Sequence, residues 1–138
     1  MIVTSLDGIE STINLGKYAK QDRKHRSGLH LKARELLLQL YPNFVTVEEI
    51  PALVNRGCTL YLDFYIPHLH AVVEVHGEQH YKYSSMFHGS IMDFAKQKKR
   101  DREKREWCEL NGIQYIELPY NEDIDEWTNR ITGKREDK

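Results

Sequence analysis

Cysteine, net charge and long apolar runs are all scarce in this chain of 138 residues. Two cysteines, Cys58 and Cys108, are too few for a disulfide framework or a four-cysteine zinc site, so reduced thiols in a cytoplasmic protein are expected. The formal net charge of -1 gives no general attraction to nucleic acid. No apolar run approaches the roughly 20 residues of a membrane span, and the first residues lack the features of a signal peptide. These scarcities predict one globular domain with no membrane partner.

The most informative stretch of the sequence is LYLDFYIPHLHAVVEVHGEQHY, at residues 60–81. Aromatic and branched residues predict one strand over 60–66 and a second over 71–75, joined by a turn at 67–70. Side chains alternate between the two faces of a strand. In the first strand, one face carries Tyr61, Asp63 and Tyr65, and the other carries Leu60, Leu62, Phe64 and Ile66. In the second strand, one face carries Val72, Glu74 and His76, and the other carries Val73 and Val75.

Asp63 and Glu74 therefore lie within otherwise apolar strands that are able to pair, and His76 and His80 follow where the second strand ends. Burying carboxylates among valine, leucine and phenylalanine is costly unless their charge is compensated. A divalent cation is the simplest compensation, and the combination of two acids, two histidines and a glycine favours it. For either acid alone, the alternative is a solvated or salt-bridged carboxylate.

The flanking segments show helix and strand patterns in turn. Predicted helices are 27–40, capped by Ser27, then 91–111, followed by Gly112, and a short one at 123–131 anchored by Trp127. Predicted strands are 44–50 and 113–118, with loops at 51–57 and at 81–90, the latter over the site. The order strand, helix, strand around the long helix predicts a crossover to a parallel neighbour. The expected fold class is α/β, with a mixed central sheet flanked by helices.

Two further acids are candidates at helical positions. Glu35 lies between two leucines on a second apolar stripe, which predicts a partly buried acid facing the Asp63 strand; the alternative is an ion pair with Lys32 or Arg34. Asp101 falls on the buried side of the long helix, and its alternative is a salt bridge with a basic residue one turn later. The strand at 44–50 holds two rival acids, Glu48 and Glu49.

Basic residues are concentrated in two segments. One runs from Lys17 to Arg34, and the other lies in the long helix. The second consists of Lys96, Lys98, Lys99, Arg100, Arg102, Lys104 and Arg105. Such patches are able to hold a phosphate backbone, and the alternative is a solvated charged face.

The patterns D-F-Y-I-P and V-E-V-H-G-E-Q-H-Y resemble the core of the PD-(D/E)XK nuclease superfamily. More narrowly, they are similar to its very-short-patch-repair-like branch, which includes phage and intron-encoded homing endonucleases. Over residues 29–118 the resemblance implies a restriction-endonuclease-like fold and catalytic roles for Glu35, Asp63, His80 and Asp101, with His76 nearby. The superfamily's usual lysine, two residues after the second acid, is His76 here, so activation of water by a lysine at that position is excluded.

The first functional hypothesis is a magnesium-dependent DNA endonuclease encoded by a phage or mobile element. Asp63 and Glu74 would supply oxygen ligands for Mg²⁺, for which Mn²⁺ is expected to substitute. The superfamily's geometry implies the carbonyl of Val75 as a third ligand. Either His76 or His80 would activate water or protonate the leaving group. The expected contacts to DNA are Lys24, Arg26, Lys98, Lys99, Arg102, Lys104 and Arg105.

Two other hypotheses stay open. A non-catalytic nucleic-acid-binding module would use the same basic surface, although the paired acids repel phosphate unless a metal intervenes. A transition-metal hydrolase would use His76, His80 and a carboxylate, but no distant third ligand stands out in the sequence. The chain is expected to act as a monomer or homodimer, with residues 1–26 as a basic arm, 27–132 as the nuclease domain and 133–138 as a disordered tail.

Overall fold

A computed structural model describes residues 1–19, 27–86 and 88–133. Its elements are β1 (Ile2–Thr4), β2 (Glu10–Thr12), α1 (Leu15–Ala19), α2 (Gly28–Leu40), β3 (Val47–Asn55), β4 (Cys58–Ile66), β5 (Ala71–His76), a 3₁₀ turn (Glu78–His80), α3 (Ile91–Leu110), β6 (Gln114–Pro119) and α4 (Ile124–Thr132). Strands β3, β4, β5 and β6 form a sheet in that order. The first three are antiparallel, whereas β6 runs parallel to β5 after the α3 crossover. The predicted α/β class with a mixed sheet flanked by helices is confirmed.

The sheet separates two apolar cores. On one face α3 contributes Trp107 and Cys108, which pack with Leu62, Tyr65 and Val72 of the central strands. The other face is covered by α2 and α4, and its core residues are Ala33, Leu36, Leu37, Phe64, Ile66, Val73, Leu118, Trp127 and Ile131. The side chains of the candidate site described below lie on the α3 face.

The prediction that one face of the strand carries Leu60, Leu62, Phe64 and Ile66 together is wrong. Leu62 packs in the α3 core, whereas Phe64 packs in the α2 core, so alternation breaks at Asp63 between them. The break has a partner on β3, where Glu49 has a left-handed φ of 58°. Paired residues on either side keep the same register, but no pairing joins Glu49 and Asp63 themselves. Strand β3 also changes face here, since Val47 and Ile50, three residues apart, both pack in the α3 core.

Strand β3 also differs from its prediction. The expected strand at 44–50 begins only at Val47, and the expected loop at 51–57 is mostly strand, since β3 continues through Pro51 to Asn55. Pro51 is tolerated because β3 lies at the edge of the sheet, where a missing N–H leaves no ladder partner unsatisfied. The hairpin to β4 then turns at Gly57, whose φ is 76°.

The predicted helix limits are confirmed to within a residue or two. The Ser27 hydroxyl accepts a hydrogen bond from the N–H of His30 and caps α2. Gly112, with φ 68°, follows α3. Asp123 and Glu126 form a reciprocal capping box at the start of α4. Local capping chemistry therefore locates these helices without long-range information.

The N-terminal residues pack against the domain. Strands β1 and β2 pair with each other, and Val3 and Ile13 lie in the α3 core. The expected DNA contacts Lys24 and Arg26 lie outside the described residues. Of the predicted tail at 133–138, only Gly133 is described, as the left-handed residue that ends α4. Within the described ranges, no helix is long and apolar enough to cross a membrane.

Candidate active site

Strands β4 and β5 stop pairing at Asp63 and Glu74. The ladder between them runs from Ile66 and Ala71 to Phe64 and Val73 and then ends. Beyond it, the N–H of Asp63 donates to Glu74 Oε2 (2.6 Å), and the N–H of Val75 donates to Asp63 Oδ2 (2.9 Å). The two carboxylates thus replace backbone pairing at the opening of the strands, and the expected proximity of Asp63 and Glu74 is confirmed.

Glu74 is the most deeply buried acid of the site, with 1% of its surface exposed. Burial raises the pKa of Glu74 to about 8, and the charge of Asp63 adds to the rise, while Lys104 acts in the opposite direction. The Lys104 ammonium lies 2.9 Å from Glu74 Oε1. Burial of Lys104 acts to lower the pKa of its ammonium group. The neighbouring Glu74 carboxylate outweighs this effect and keeps that pKa above its ordinary value. Because the pKa of Glu74 stays raised with Lys104 in contact, the two acids need a further cation beside them to be ionised together at neutral pH.

In the absence of divalent cations, the wild-type protein is expected to lose stability relative to a Glu74→Gln variant as the pH rises from about 4.5 to about 8. The folded state keeps the Glu74 proton through this window, whereas the unfolded chain releases it, so rising pH favours unfolding. Urea unfolding in EDTA at several pH values measures the difference. Glu106→Gln, on the exposed side of α3, is the control and should follow the wild type. Equal pH slopes for wild type and Glu74→Gln would contradict the raised pKa.

His76 and His80 form a stacked pair beside the two acids. Their ring centroids are 4.2 Å apart and their planes differ by 9°. His76 Nδ1 lies 3.5 Å from Glu117 Oε2, and its Nε2 lies 3.1 Å from the Tyr115 hydroxyl. His80 Nδ1 lies 2.9 Å from Asp101 Oδ2. Each imidazole therefore has its own carboxylate partner, in the arrangement that orients a histidine for proton transfer.

Asp101 occupies the position expected for it, on the buried side of α3 with 6% exposure. Its partners are His80 and Gln97, rather than the basic residues that the salt-bridge alternative required. Burial acts to raise the pKa of Asp101, but the hydrogen bond with His80 holds this pKa below its ordinary value. The hydrogen bond from Gln97 acts in the same direction as that with His80. Asp101 is thus an ionised acceptor for the His80 ring.

Asp101 also supplies the third ligand that the transition-metal hypothesis lacked. Ligand atoms of His76, His80 and Asp101 all lie within 4.8 Å of one another. However, the lone pairs of imidazole nitrogens lie in the ring planes, and these two planes are almost parallel. The lone pairs of the two rings therefore do not converge on one point, as tetrahedral coordination of an ion requires. The cluster as it stands is better suited to proton transfer than to joint ligation.

Glu117 of β6 is a site residue that the sequence reading missed. It pairs with Glu74 across the parallel β5–β6 ladder. Its carboxylate accepts hydrogen bonds from the Tyr81 hydroxyl and from Arg105 (3.1 Å). The contact with His76 at 3.5 Å is the largest influence on this carboxyl, and together with the hydrogen bond from Tyr81 it lowers the pKa of Glu117 to about 2. The available signal was a single acid between Ile116 and Leu118, the same signal that identified Glu74 in β5.

The expectation for Glu35 is wrong, because its side chain is exposed to solvent on α2. The second apolar stripe that placed it inside also fails, since Leu38 is 53% exposed. Among the rival acids, Glu48 is buried, but it contacts His30 (3.0 Å) and Arg34 (2.8 Å) between β3 and α2. That contact lies on the sheet face opposite to α3.

The expected DNA contacts on α3 divide into two groups. Lys104 bonds to Glu74, Arg105 to Glu117, and Lys98 to the carbonyl oxygen of His80 at 3.0 Å. These three side chains already contact groups of the candidate site, and direct DNA contacts by them stay a prediction. Lys99 and Arg102 are exposed on the outer side of α3, together with Lys96 and Arg100.

Comparison with known proteins finds viral relatives. No family model matches the chain, and no solved structure gives a significant match. The chain is similar to the uncharacterized protein 094L of Frog virus 3 (isolate Goorha), with 42% identity over 79 residues, which are 56% of this chain and 51% of that protein. It is also similar to the uncharacterized protein 307L of Invertebrate iridescent virus 6, with 41% identity over 66 residues (48% and 34%). A third relative is the uncharacterized protein 033L of Invertebrate iridescent virus 3, with 38% identity over 64 residues (46% and 33%). The chain thus matches about half or less of the length of these relatives.

Proposed function

We propose that this protein is a metal-dependent DNA endonuclease with a restriction-endonuclease-like arrangement of its sheet. The observation that carries the proposal is the meeting of Asp63 and Glu74, where β4 and β5 separate, with the His80–Asp101 pair on the same side of the sheet. Hydrolysis of a phosphodiester needs compensation of phosphate charge, an activated water and a proton for the leaving oxygen. The site offers a group suited to each of these tasks.

The donor atoms at the strand opening fit Mg²⁺. Asp63 Oδ1 accepts no hydrogen bond within the described part of the chain, and the pKa of the buried Glu74 carboxyl stays raised although Lys104 contacts it. These are hard oxygen ligands, and Mg²⁺ takes one or two carboxylates and keeps several waters. Asp63, Glu74 and the carbonyl of Val75 would hold the ion, and Mn²⁺ would substitute for it. When bound, the ion would polarise the phosphate and acidify a bound water.

The protein's own groups carry the remaining tasks. Asp101 fixes His80 with one ring nitrogen toward the carboxylate, which leaves the other free to move a proton at the scissile phosphate. Lys104 reaches Glu74 from α3, and so a lysine is present beside the acids although position 76 holds a histidine. Its ammonium offsets the charge of Glu74 and orients that carboxylate.

The proposal is tested by incubating supercoiled plasmid DNA with the protein in Mg²⁺, in Mn²⁺ and in EDTA. Nicked or linear product with either metal and none in EDTA is the expected result. Binding of DNA without cleavage in any metal would instead support the non-catalytic nucleic-acid-binding module. Zinc-dependent cleavage that survives loss of Asp63 would favour the transition-metal hydrolase.

The exposed side of α3 is expected to contact phosphates. None of its first ten residues is buried, and Lys99 and Arg102 are free of the contacts that engage Lys98, Lys104 and Arg105. Replacing Lys99 and Arg102 with glutamine should weaken binding to all sequences and lower the salt-dependence slope by roughly one unit per lost contact.

Fluorescence anisotropy of labelled duplex DNA, titrated over a range of salt concentrations, measures this slope. The matched control replaces Lys17 and Arg56, two exposed basic residues outside α3, with glutamine. A slope that changes equally in both double variants, or in neither, would show that α3 makes no special contribution to DNA binding.

A further inference from the structure

We propose that Glu117 is a positioning residue of the active site, which orients His76 directly and His80 through Tyr81. This inference rests on the proposed endonuclease function. Glu117 contacts the elements that carry the two histidines and the basic helix: His76 of β5, Tyr81 beside His80, and Arg105 of α3. It is the side chain at which these elements meet.

The partners of His76 define which of its nitrogens holds the proton. A carboxylate is only an acceptor, so the nitrogen facing Glu117, Nδ1, is the one that carries hydrogen. Burial raises the pKa of Tyr115, so its hydroxyl keeps its proton and is able to donate to His76 Nε2. The lone pair of Nε2 thus accepts from Tyr115, and Glu74 Oε1 lies 4.0 Å from the same nitrogen. Glu117 thereby selects the tautomer in which Nδ1 carries the hydrogen and Nε2 is the acceptor.

The second connection runs through Tyr81 to His80. Tyr81 directly follows the 3₁₀ turn that ends with His80, and its hydroxyl donates to Glu117. Arg105 holds the other oxygen of the same carboxylate. With both oxygens engaged, the carboxylate has a fixed orientation, and it ties the His80 turn to β6. Glu117 thus supports both imidazole rings, whose centroids lie 4.2 Å apart in the stack.

The test is Glu117→Gln, which keeps the shape of the side chain but removes one acceptor and the charge. We expect the single-turnover cleavage rate at saturating protein to fall by about 10- to 100-fold, as for other groups that orient catalytic side chains, with unchanged DNA affinity. In ¹⁵N NMR spectra, the His76 ring should lose its predominance of the Nδ1–H tautomer. Glu10→Gln is the control, because Glu10 is an exposed glutamate of β2 in the N-terminal hairpin. It should change neither quantity.

The two readouts separate this inference from the proposed function. If the wild type cleaves DNA, a full rate in Glu117→Gln overturns the positioning role. If the wild type does not cleave, the endonuclease proposal fails, and an unchanged His76 tautomer in Glu117→Gln overturns the inference as well. Should that variant not fold, Tyr81→Phe removes a single hydroxyl from the same network. It is expected to slow cleavage by about tenfold or more, and a wild-type rate would count against the inference.

Discussion

Replacing Asp63 with alanine is expected to abolish cleavage of plasmid DNA while leaving DNA binding intact or tighter. The Asp63 carboxylate has one oxygen available for a cation and lies at the opening between β4 and β5. Its removal would delete a proposed metal ligand and would also remove a negative charge that repels phosphate. Cleavage in Mg²⁺ and anisotropy in EDTA measure the two effects separately.

Asp63→Asn is the sharper variant, because its side-chain oxygen is still able to accept the hydrogen bond from the N–H of Val75. Loss of cleavage in this variant cannot be attributed to a broken strand contact. Asp125→Ala removes an exposed acid from α4 and should cut at the wild-type rate. Full activity in both Asp63 variants would end the assignment of a nuclease site to this position.

Replacing His80 with alanine is expected to lower the cleavage rate by about 10²- to 10⁴-fold, the usual contribution of a general acid or base. His80 is anchored by Asp101 and stacked on His76, so it is held rigidly at the edge of the acidic opening. Metal affinity should change little, because oxygen ligands dominate a magnesium site. Single-turnover rates and isothermal titration with Mn²⁺ measure these two quantities.

The pH dependence of the rate provides a second readout for the histidines. If one acts as acid and the other as base, the wild-type profile is bell-shaped, and His76→Ala and His80→Ala each remove one limb. His68→Ala is the control, since His68 is exposed in the turn between β4 and β5 and stacks on Phe44. Normal cutting by both alanine variants would show that the histidines are structural.

Several expectations failed where contacts between distant segments override local pattern. The amphipathic pattern of α2 placed Glu35 inside, but the helix buries one stripe that consists of His30, Ala33, Leu36 and Leu37, while Glu35 and Leu38 are exposed. Strict strand alternation placed Leu62 and Phe64 on one face. The alternation breaks at Asp63, opposite the left-handed residue Glu49 of the neighbouring strand, and no pattern within β4 itself predicts the break.

The sequence by itself determined the helix limits, the crossover to a parallel strand and the closeness of Asp63 and Glu74. These features depend on neighbours in the chain: caps such as Ser27 and Asp123, a turn of a few residues between β4 and β5, and the period of two in β5. Only the tertiary structure decided that Lys104 meets Glu74 and that Glu117 meets His76, because 30 and 41 residues of chain separate those partners. Their contacts arise from the packing of α3 and β6 against β5, where burial makes each charge depend on the nearest opposite charge or hydrogen-bond donor.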